Sequence, residues 1–252
     1  MTDGELVARQ YDRMADGYAA DNEENVYNSL YERPATIDLL GDVSGLRILD
    51  VGCGAGPLTG WLVDHGAAAV TGMDASARML DLARRRVGDR ARLVLAGLEE
   101  PLAFQPDGSV DLVVASLVLH YVRDWEPVFH EFRRVLVPGG KVVFSTHHPA
   151  MDWRLHSPDD YFAIKQVSEV WTRDGRPFEV TFWRRPLTAM TAAVTSAGFV
   201  IERLVEPAPS PAVEQRDPRV GRRLVTTPHF LFFRLRAPTR PPGPAAGGTP
   251  SS

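Results

Sequence analysis

The strongest chemical signal in the sequence is a glycine-rich turn that follows an apolar run and is paired with an acidic residue further along. Asp50 precedes Gly52, Gly54 and Gly56, and Asp74 ends the next apolar run. In an open α/β sheet, ligands bind beyond the carboxyl ends of the strands, and glycines there let the backbone approach a ligand closely. A carboxylate at the end of the second strand can accept hydrogen bonds from both ribose hydroxyls. These residues predict a site for an adenosine-type ligand.

The spacing of the glycines indicates which adenosine ligand fits. A dinucleotide site uses the pattern G-x-G-x-x-G, whereas Gly52, Gly54 and Gly56 are followed directly by Pro57. Proline lacks the amide that would donate to a phosphate oxygen, and Asp50 repels an anion but attracts an ammonium group. The pattern therefore favours a cationic amino-acid nucleoside, and a nicotinamide-dependent oxidoreductase is the less favoured alternative.

Three histidines lie at the ends of the fourth predicted strand (Val110 to Ser116) and the fifth (Lys141 to His147). A second reactant would meet the adenosine-type ligand there. His147 and His148 stand directly before Pro149, and His120 follows the fourth strand. An imidazole can take a proton from a phenol or polarised hydroxyl, which contributes about 10²- to 10⁴-fold to a rate. His147 and His148 are the candidate catalytic residues, while a structural or cofactor-lining role is the alternative for His120. Neighbouring residues on a strand point to opposite sides, so no metal site is predicted.

Aromatic side chains concentrate in the segment after His147. They predict either a pocket for the second reactant, here called the acceptor, over the sheet edge or a small hydrophobic cluster under a hairpin. Both interpretations can hold together. These aromatic residues are Trp153, Trp171, Phe178, Phe182 and Trp183. The residues predicted to bind the acceptor are Tyr31, Trp153, Trp171 and Trp183.

The elements that must position these residues alternate in type. From residue 46, short β-branched runs alternate with helix-like stretches, which is typical of strand-helix-strand units with a parallel sheet. Later, Gln166 to Trp171 and Phe178 to Trp183 flank a turn at Arg173 to Arg176, which predicts a hairpin. The predicted segments are a helical lid (1–45), an α/β core (46–147), an inserted cap with the hairpin (148–186), the rest of the core (187–236) and a disordered tail (237–252).

Composition excludes several classes of protein. The 252 residues carry a formal net charge of −4, and acidic residues separate the arginines near residues 184 and 216–223, so no nucleic-acid partner is predicted. The single cysteine, Cys53, rules out an internal disulfide and suits a reducing compartment. No run approaches the roughly 18 apolar residues that span a bilayer, and the amino terminus has no signal-peptide pattern. We expect a cytoplasmic protein with no membrane partner.

The chain resembles the class I S-adenosylmethionine-dependent methyltransferases, in particular the bacterial small-molecule "methyltransferase domain" group. The resemblance is carried by Asp50 to Gly56, by Gly72-Met73-Asp74 and by the Pro138-Gly139-Gly140 turn before the fifth strand. It covers roughly residues 9–147 well and the remainder by the order of elements. The resemblance implies a Rossmann-like seven-stranded mixed sheet, ordered 3-2-1-4-5-7-6 with the last strand antiparallel and helices on both faces. It also implies S-adenosyl-L-methionine as cofactor.

The resemblance also implies which residues bind this cofactor. Many relatives carry an aspartate after the third strand for the adenine amino group, where this chain has Gly97, so the Leu98 backbone and Glu99 are the candidates for that contact. The full predicted cofactor set is Tyr11, Tyr18, Arg33, Asp50, Gly52, Cys53, Gly54, Gly56, Asp74, Ala75, Gly97, Leu98, Ser116, Leu117 and His120.

The expected activity is transfer of a methyl group to an oxygen or nitrogen of a small aromatic molecule of the natural-product type. Such transfer is an in-line displacement in which alignment and desolvation of the nucleophile carry most of the rate. The alternatives are an enzyme that binds S-adenosylmethionine without methylating, as in a cyclase built on this scaffold, and a non-catalytic binding module. A monomer or a homodimer is expected.

Overall fold

A seven-stranded mixed sheet forms the centre of the protein. The computed structural model describes residues 3–156, 159–173 and 176–239. The strands are β1 (Arg47–Val51), β2 (Ala69–Asp74), β3 (Arg92–Leu95), β4 (Val110–Ala115), β5 (Leu136–His147), β6 (Lys165–Arg173), β7 (Arg176–Arg184), β8 (Val200–Val205) and β9 (Phe230–Arg236). The sheet has the order β3-β2-β1-β4-β5-β9-β8, and β9 runs antiparallel to both neighbours. The predicted order is confirmed, with β8 and β9 as the sixth and seventh strands of the sheet.

Helices cover both faces of this sheet. They are α1 (Asp3–Glu24), α2 (Arg33–Leu40), α3 (Pro57–Asp64), α4 (Ala77–Val87), α5 (Trp125–Val135), α6 (Pro149–His156), α7 (Leu187–Ser196), α8 (Pro211–Arg216) and α9 (Pro218–Thr226). A π-helical segment, Val26–Glu32, joins α1 to α2. Ser76 caps α4 by accepting a hydrogen bond from the Met79 amide, because a serine at this position supplies the side-chain oxygen that a helix start requires. Helices α6, α8 and α9 were not predicted, because each is short and lies in a proline-containing stretch that resembles a loop.

The apolar residues of the central strands alternate between two cores. Ile48 and Val143 pack in the cluster on the side of α2 and α3, whereas their neighbours Leu49 and Phe144 pack in the cluster on the side of α5 and α7. Successive side chains of a strand point to opposite faces, so a strand covered on both sides must be apolar throughout. This requirement explains the nearly unbroken apolar runs that predicted the strands.

Strands β6 and β7 form a separate two-stranded sheet, which is the predicted hairpin in the inserted segment. Residues 174 and 175 of its turn lie outside the described residues. Val180 and Phe182 of β7 are buried against Met14 of α1 and Tyr121, which follows β4. The hairpin and α1 therefore pack together beside the carboxyl ends of the strands.

Two backbone hydrogen bonds fix the residues that follow β9. After β9, the Ala237 amide donates to the Gly140 carbonyl oxygen at 2.8 Å, and the Gly139 amide donates to the Pro238 carbonyl oxygen at 3.1 Å. These bonds hold Ala237 and Pro238 against the turn before the parallel part of β5. The predicted disordered tail, 237–252, lies outside the described residues from 240 onward.

Candidate active site

Two adjoining cavities lie at the carboxyl ends of the parallel strands. One, here called the glycine-loop cavity, has a volume of about 140 Å³ and follows the glycine-rich turn after β1. The other, here called the histidine cavity, has a volume of about 500 Å³ and is lined by His120, His147 and His229. The residues that line both are Tyr11, Tyr18, Asn28, Leu117 and Tyr121. A shared wall of this kind allows a group bound in one cavity to reach a molecule bound in the other.

The glycine-rich turn brings backbone to the wall of its cavity. Gly52 has a φ of +69°, and a Cβ atom there would lie 2.4 Å from Val118 Cγ2, so no other residue fits without displacing its neighbours. Gly56, with a φ of +78°, lies at the start of α3, where a Cβ would come within 3.2 Å of the Ala83 Cβ atom of α4. Gly52 thus leaves room for the Val118 side chain in the cavity wall, whereas Gly56 lets two helices approach and does not line the cavity.

Asp74 is fixed at the end of β2 by two backbone amides. The Gly54 amide donates to its Oδ2 at 2.8 Å, and the Ser76 amide donates to its Oδ1 at 2.9 Å. Burial raises the pKa of the Asp74 carboxyl, and the two amides oppose this shift. The side chain lines the glycine-loop cavity, where its remaining lone pairs can accept hydrogen bonds from two ribose hydroxyls.

Asp50 lies deeper, at the end of β1, and is 1% exposed. Thr59 Oγ1 donates to its Oδ2 at 2.6 Å. Burial raises the pKa of Asp50 to about 7; the Thr59 hydrogen bond opposes the shift, and the nearby charges of Asp74 and Glu32 add to it. The cavity therefore concentrates carboxylates, and a cation placed there would favour the ionised form of Asp50.

Backbone and small side chains complete this cavity. Leu117 is the only non-glycine residue with a positive φ in the part of the chain that the structure describes, at 48°, and its amide donates to Ser145 Oγ at 2.9 Å. At the opposite end, Glu99 Oε2 accepts a hydrogen bond from the Gly4 amide at 3.1 Å, so the start of α1 reaches the predicted adenine end. Cys53 is a free buried thiol whose pKa is raised well above its usual value by burial, which suits a packing role.

Most of the predicted cofactor residues meet at this cavity. Those that line it are Tyr11, Tyr18, Arg33, Asp50, Gly52, Cys53, Gly54, Asp74, Ala75, Gly97, Leu98, Ser116 and Leu117. Of the remaining two, Gly56 packs α3 against α4, and His120 lines only the histidine cavity.

His147 has the geometry of a proton acceptor in the histidine cavity. Its Nδ1 lies 3.4 Å from Oδ1 of Asp152, which is 2% exposed, and both of these atoms are buried without a hydrogen bond. No residue that the structure describes forms a hydrogen bond with its Nε2, and His147 lines the histidine cavity. The His120 ring stacks on it at a centroid distance of 4.0 Å, and burial lowers the pKa of His120 well below its usual value, so that this neighbour is neutral.

His148 points away from His147, as adjacent residues at a strand end do. Its Nε2 lies 2.6 Å from Glu206 Oε1, and its Nδ1 accepts a hydrogen bond from the Ala150 amide at 3.3 Å. His148 does not line the histidine cavity. Of the two candidate catalytic histidines, only His147 is therefore placed beside the space that an acceptor can fill.

Trp171 and Tyr31 were both predicted to bind the acceptor, and the structure separates them. Trp171 lines the histidine cavity, and its ring stacks on Tyr18 at a centroid distance of 6.4 Å. Tyr31 is 2% exposed and donates from its hydroxyl to the Pro207 carbonyl oxygen at 2.9 Å. Its ring belongs to the core on the side of α2, which keeps it out of the cavity.

The other two predicted acceptor residues pack in other surroundings. Trp153 contacts Tyr161 edge to face, with ring centroids 6.1 Å apart, and the Trp183 ring lies 5.2 Å from the Arg123 guanidinium carbon. Neither lines the histidine cavity. Of the three tryptophans of the insertion, Trp171 thus forms part of the cavity wall, whereas Trp153 and Trp183 pack against other side chains.

Sequence reasoning missed several residues of the histidine cavity, of which Asp152 is the most informative. It lies on α6, and its backbone amide donates to the His148 carbonyl oxygen at 3.0 Å. Pro149 after His148 is a helix-start signal, and a helix there would have brought Asp152 back toward the strand end. The other missed residues are Asp21, Asn25, Tyr27, Asn28, Tyr121, Met151, Leu155, Glu169, Arg223, His229 and Phe230. They come from separate elements and carry no shared motif.

Helix α1 is held over both cavities by polar contacts with α4. Ser76 Oγ donates to Asp12 Oδ1 at 2.5 Å, and the Arg78 guanidinium pairs with Asp16 at 2.8 Å. Exposed ion pairs are weak and screened by salt. Of these two contacts, the Arg78–Asp16 pair is of this exposed kind, whereas the Ser76–Asp12 hydrogen bond is partly buried.

The described residues hold neither a cluster of metal-binding side chains nor a membrane-spanning helix. Within residues 3–156, 159–173 and 176–239, no group of three or more His, Cys, Asp or Glu side chains is arranged to hold a metal ion. Over the same residues, no helix combines the length and apolar character needed to cross a bilayer.

The fold and the glycine-loop cavity define a class I, Rossmann-like nucleoside-binding protein, and comparisons with known proteins identify its family. Residues 49–144 match the methyltransferase domain family. An S-adenosylmethionine-dependent methyltransferase from Mesorhizobium loti is 31% identical, with 81% of this chain and 97% of that chain covered and a TM-score of 0.67. The chain belongs to the S-adenosylmethionine-dependent methyltransferases, and it is an enzyme of that family.

Two curated relatives carry specific names. A demethylmenaquinone methyltransferase of Lactococcus lactis is 33% identical over 58% of this chain and 56% of its own length. A malonyl-[acyl-carrier protein] O-methyltransferase of Legionella pneumophila is 30% identical over 59% of this chain and 52% of its own length. The chain spans a little over half the length of these two relatives, and they act on different acceptors.

The glycine-loop cavity fits S-adenosylmethionine. Asp50, Asp74 and Glu32 give its wall three carboxylates, and the backbone of Gly52 and Gly54 lines it as well. A sulfonium and an ammonium group complement such a wall, whereas a pyrophosphate would be repelled. These residues would hold the donor, with Asp74 on the ribose.

Proposed function

We propose that this enzyme methylates a hydroxyl oxygen of a small aromatic molecule bound in the histidine cavity, with His147 as the base. The observation that carries the proposal is the placement of His147, which lines a cavity of about 500 Å³ beside the glycine-loop cavity and has Asp152 on the Nδ1 side of its ring. Pockets of about 300 to 1,000 Å³ suit small molecules. The net charge of −4 also suits a small acceptor of the natural-product type better than a nucleic acid.

The pair formed by His147 and Asp152 supports an acceptor that starts protonated. Asp152 lies on the Nδ1 side of the ring, so it stabilises the imidazolium that forms when Nε2 takes a proton. A hydroxyl must lose its proton during methylation, whereas a neutral amine can attack before losing one. The arrangement therefore favours oxygen over nitrogen as the methylated atom.

The walls of the histidine cavity favour an aromatic acceptor. Tyr27, Trp171 and Phe230 line it, and the shared residues Tyr11 and Tyr121 separate it from the glycine-loop cavity. The Tyr11 and Tyr121 hydroxyls are hydrogen bonded to each other at 2.6 Å. Flat aromatic rings pack against such walls edge to face or offset.

When bound, S-adenosylmethionine supplies an electrophilic methyl group. The chain's own residues hold and align: Asp74 accepts from the ribose, Gly52 and Gly54 shape the backbone around the donor, and His147 takes the acceptor proton at Nε2. Tyr11 and Tyr18 of α1 lie over both cavities and exclude water. Alignment and desolvation of this kind are the main sources of rate in such a displacement.

The first experiment identifies the acceptor. Purified enzyme and isotopically labelled S-adenosylmethionine are incubated with a panel of phenols, aromatic amines and aromatic carboxylates, and with an extract of the producing strain. Mass spectrometry then detects products that gain one labelled methyl group. We expect labelled methyl ethers of phenolic compounds. Labelled N-methyl products alone would contradict the proposal.

The adjacent histidines provide a matched pair of variants for the base. His147→Ala should lower kcat by about 10²- to 10⁴-fold while leaving donor affinity nearly intact. His148→Ala, which removes the neighbouring imidazole outside the cavity, should retain most of the activity. If His148→Ala is the slow variant, or if the wild-type rate is constant between about pH 6 and 9, His147 is not the base.

A further inference from the structure

Glu32 is the one of the three carboxylates in the wall of the glycine-loop cavity whose contact with the donor has not yet been specified. It is 3% exposed and lies where the π-helical segment meets α2. One of its oxygens, Oε1, accepts three hydroxyl hydrogen bonds: from Thr36 at 2.7 Å, from Ser116 at 2.8 Å and from Ser145 at 2.6 Å. The side chain thereby connects α2 to the ends of β4 and β5.

The hydrogen-bond pattern identifies this group as an anion. Ser145 Oγ accepts a hydrogen bond from the Leu117 amide at 2.9 Å, so its single proton is left to donate to Glu32. Three hydroxyl donors that converge on one oxygen stabilise a carboxylate over a carboxylic acid. The arrangement holds a negative charge inside the protein.

The second oxygen of Glu32, Oε2, takes no part in these hydrogen bonds. The side chain lines the glycine-loop cavity, and Oε2 makes no hydrogen bond and no ion pair with any of the residues that the structure describes. Arg33 also lines this cavity, but its guanidinium donates to Asn22 Oδ1 at 2.7 Å and lies 3.7 Å from Glu23. A buried charge that has hydrogen bonds but no opposite charge beside it is costly. A cationic group of the ligand would supply that opposite charge for the Glu32 carboxylate.

The order of the strands indicates which end of the donor lies near Glu32. Asp74 places the ribose at the end of β2, and Gly97 and Leu98 place the adenine beyond β3. The methionine end must then extend the other way, past β1 toward β4, where Ser116 holds Glu32. An ammonium group carries three N–H donors that can bind an open carboxylate oxygen, whereas a sulfonium carries none.

We propose that Glu32 binds the α-ammonium group of the methionine moiety and thereby determines the affinity for the amino-acid end of the donor. This inference depends on S-adenosylmethionine being the donor, and not on the identity of the acceptor or on His147. Because product and donor share the ammonium group, Glu32 holds both with similar strength.

The test uses Glu32→Gln and isothermal calorimetry in the absence of acceptor. Glutamine keeps the shape and the hydroxyl contacts of Glu32, but it replaces the open oxygen by an amide donor. The Kd values of S-adenosylmethionine and S-adenosylhomocysteine should both rise about 10- to 100-fold. The Kd of 5′-methylthioadenosine, which lacks the amino-acid end, should change less than about twofold. Glu24→Gln, at an exposed site of α1, serves as the matched control.

Each other outcome overturns the proposal. A loss confined to S-adenosylmethionine would assign Glu32 to the sulfonium, and an equal loss for all three ligands would show a structural role through its hydroxyl partners. Unchanged affinities would show no contact at all. Thermal unfolding of the variant, compared with wild type, identifies a folding defect, and Thr36→Val, which removes one hydroxyl but keeps the charge, should weaken binding less than Glu32→Gln.

Discussion

The glycine-loop cavity and the histidine cavity share a wall but are built in different ways. The floor of the first is made by the ends of β1, β2, β3 and β4, with carboxylates at the ends of β1 and β2 and with the residues that follow each strand. The second is made by α1, the end of β5, α6, β6 and the residues around β9, which are far apart in the chain. The difference shows that the glycine-loop cavity belongs to the architecture of the sheet, whereas the histidine cavity depends on how the inserted and terminal segments pack over it.

The largest expected effect tests whether the two cavities bind their ligands independently. Asp74→Ala removes a charged acceptor of two ribose hydrogen bonds, each worth about 1.5 to 3 kcal/mol, so the Kd of S-adenosylmethionine should rise about 10²- to 10⁴-fold. Calorimetry measures this directly. Asp81→Ala, on the exposed face of α4, is the control, and Glu99→Ala should weaken the donor less than Asp74→Ala.

His147→Ala should leave that same dissociation constant nearly unchanged, because His147 does not line the glycine-loop cavity. If Asp74→Ala and His147→Ala weakened the donor equally, the two cavities would form a single energetic unit. If Glu99→Ala had the larger effect on donor affinity, the assignment of Asp74 to the ribose would be wrong.

The contrast between the cavities also explains what sequence reasoning could predict. The glycine-loop cavity depends on residues beside their own strands, such as Gly52 and Asp74, and a periodic apolar pattern locates those strands. The order of the sheet followed from the resemblance to a known family. The histidine cavity depends on contacts between distant segments, so His147 and Trp171 were found by residue type alone, while Asp152 was missed because α6 is a short helix in a stretch that resembles a loop. Glu32 carries no motif, and only its three hydroxyl partners in the fold reveal its charge.

The next prediction concerns the histidine cavity. Asp152→Asn keeps the size of the side chain but removes the charge that lies 3.4 Å from His147 Nδ1. Because the imidazolium loses its stabilising partner, kcat should fall about 10- to 100-fold, and the pH at which activity reaches half its maximum should shift to lower values. Asp152 is a positioning residue, so the donor Kd should not change.

The matched control is Asp21→Asn, which alters another carboxylate of the same cavity on the α1 side. Its effect should fall on the KM of the acceptor rather than on the pH profile. A pH profile of Asp152→Asn that superimposes on the wild-type profile would contradict the assignment of this carboxylate to His147, whatever the change in rate.

The smallest expected effect is a pH dependence that arises in the glycine-loop cavity alone. The pKa of Asp50 is raised from its usual value of 3.8 to about 7, so the folded protein without donor keeps this proton up to about neutral pH. A raised pKa contributes stability that is fully present below the unfolded value of 3.8 and is lost as the pH rises through about 7. The melting temperature of the protein without donor should therefore fall over this range relative to that of Asp50→Asn.

Donor affinity should change in the opposite sense. A cationic donor favours ionised Asp50, so binding releases a proton, and the affinity for S-adenosylmethionine should rise about tenfold between pH 6 and 8. Calorimetry in two buffers of different ionisation enthalpy measures the released proton, and Asp50→Asn should abolish both the release and the slope. The histidine cavity lies outside this linkage, so His147→Ala should retain the wild-type slope. If the slope were lost in His147→Ala and kept in Asp50→Asn, the titrating group would lie in the histidine cavity. The pH dependence of donor affinity would then not arise from Asp50.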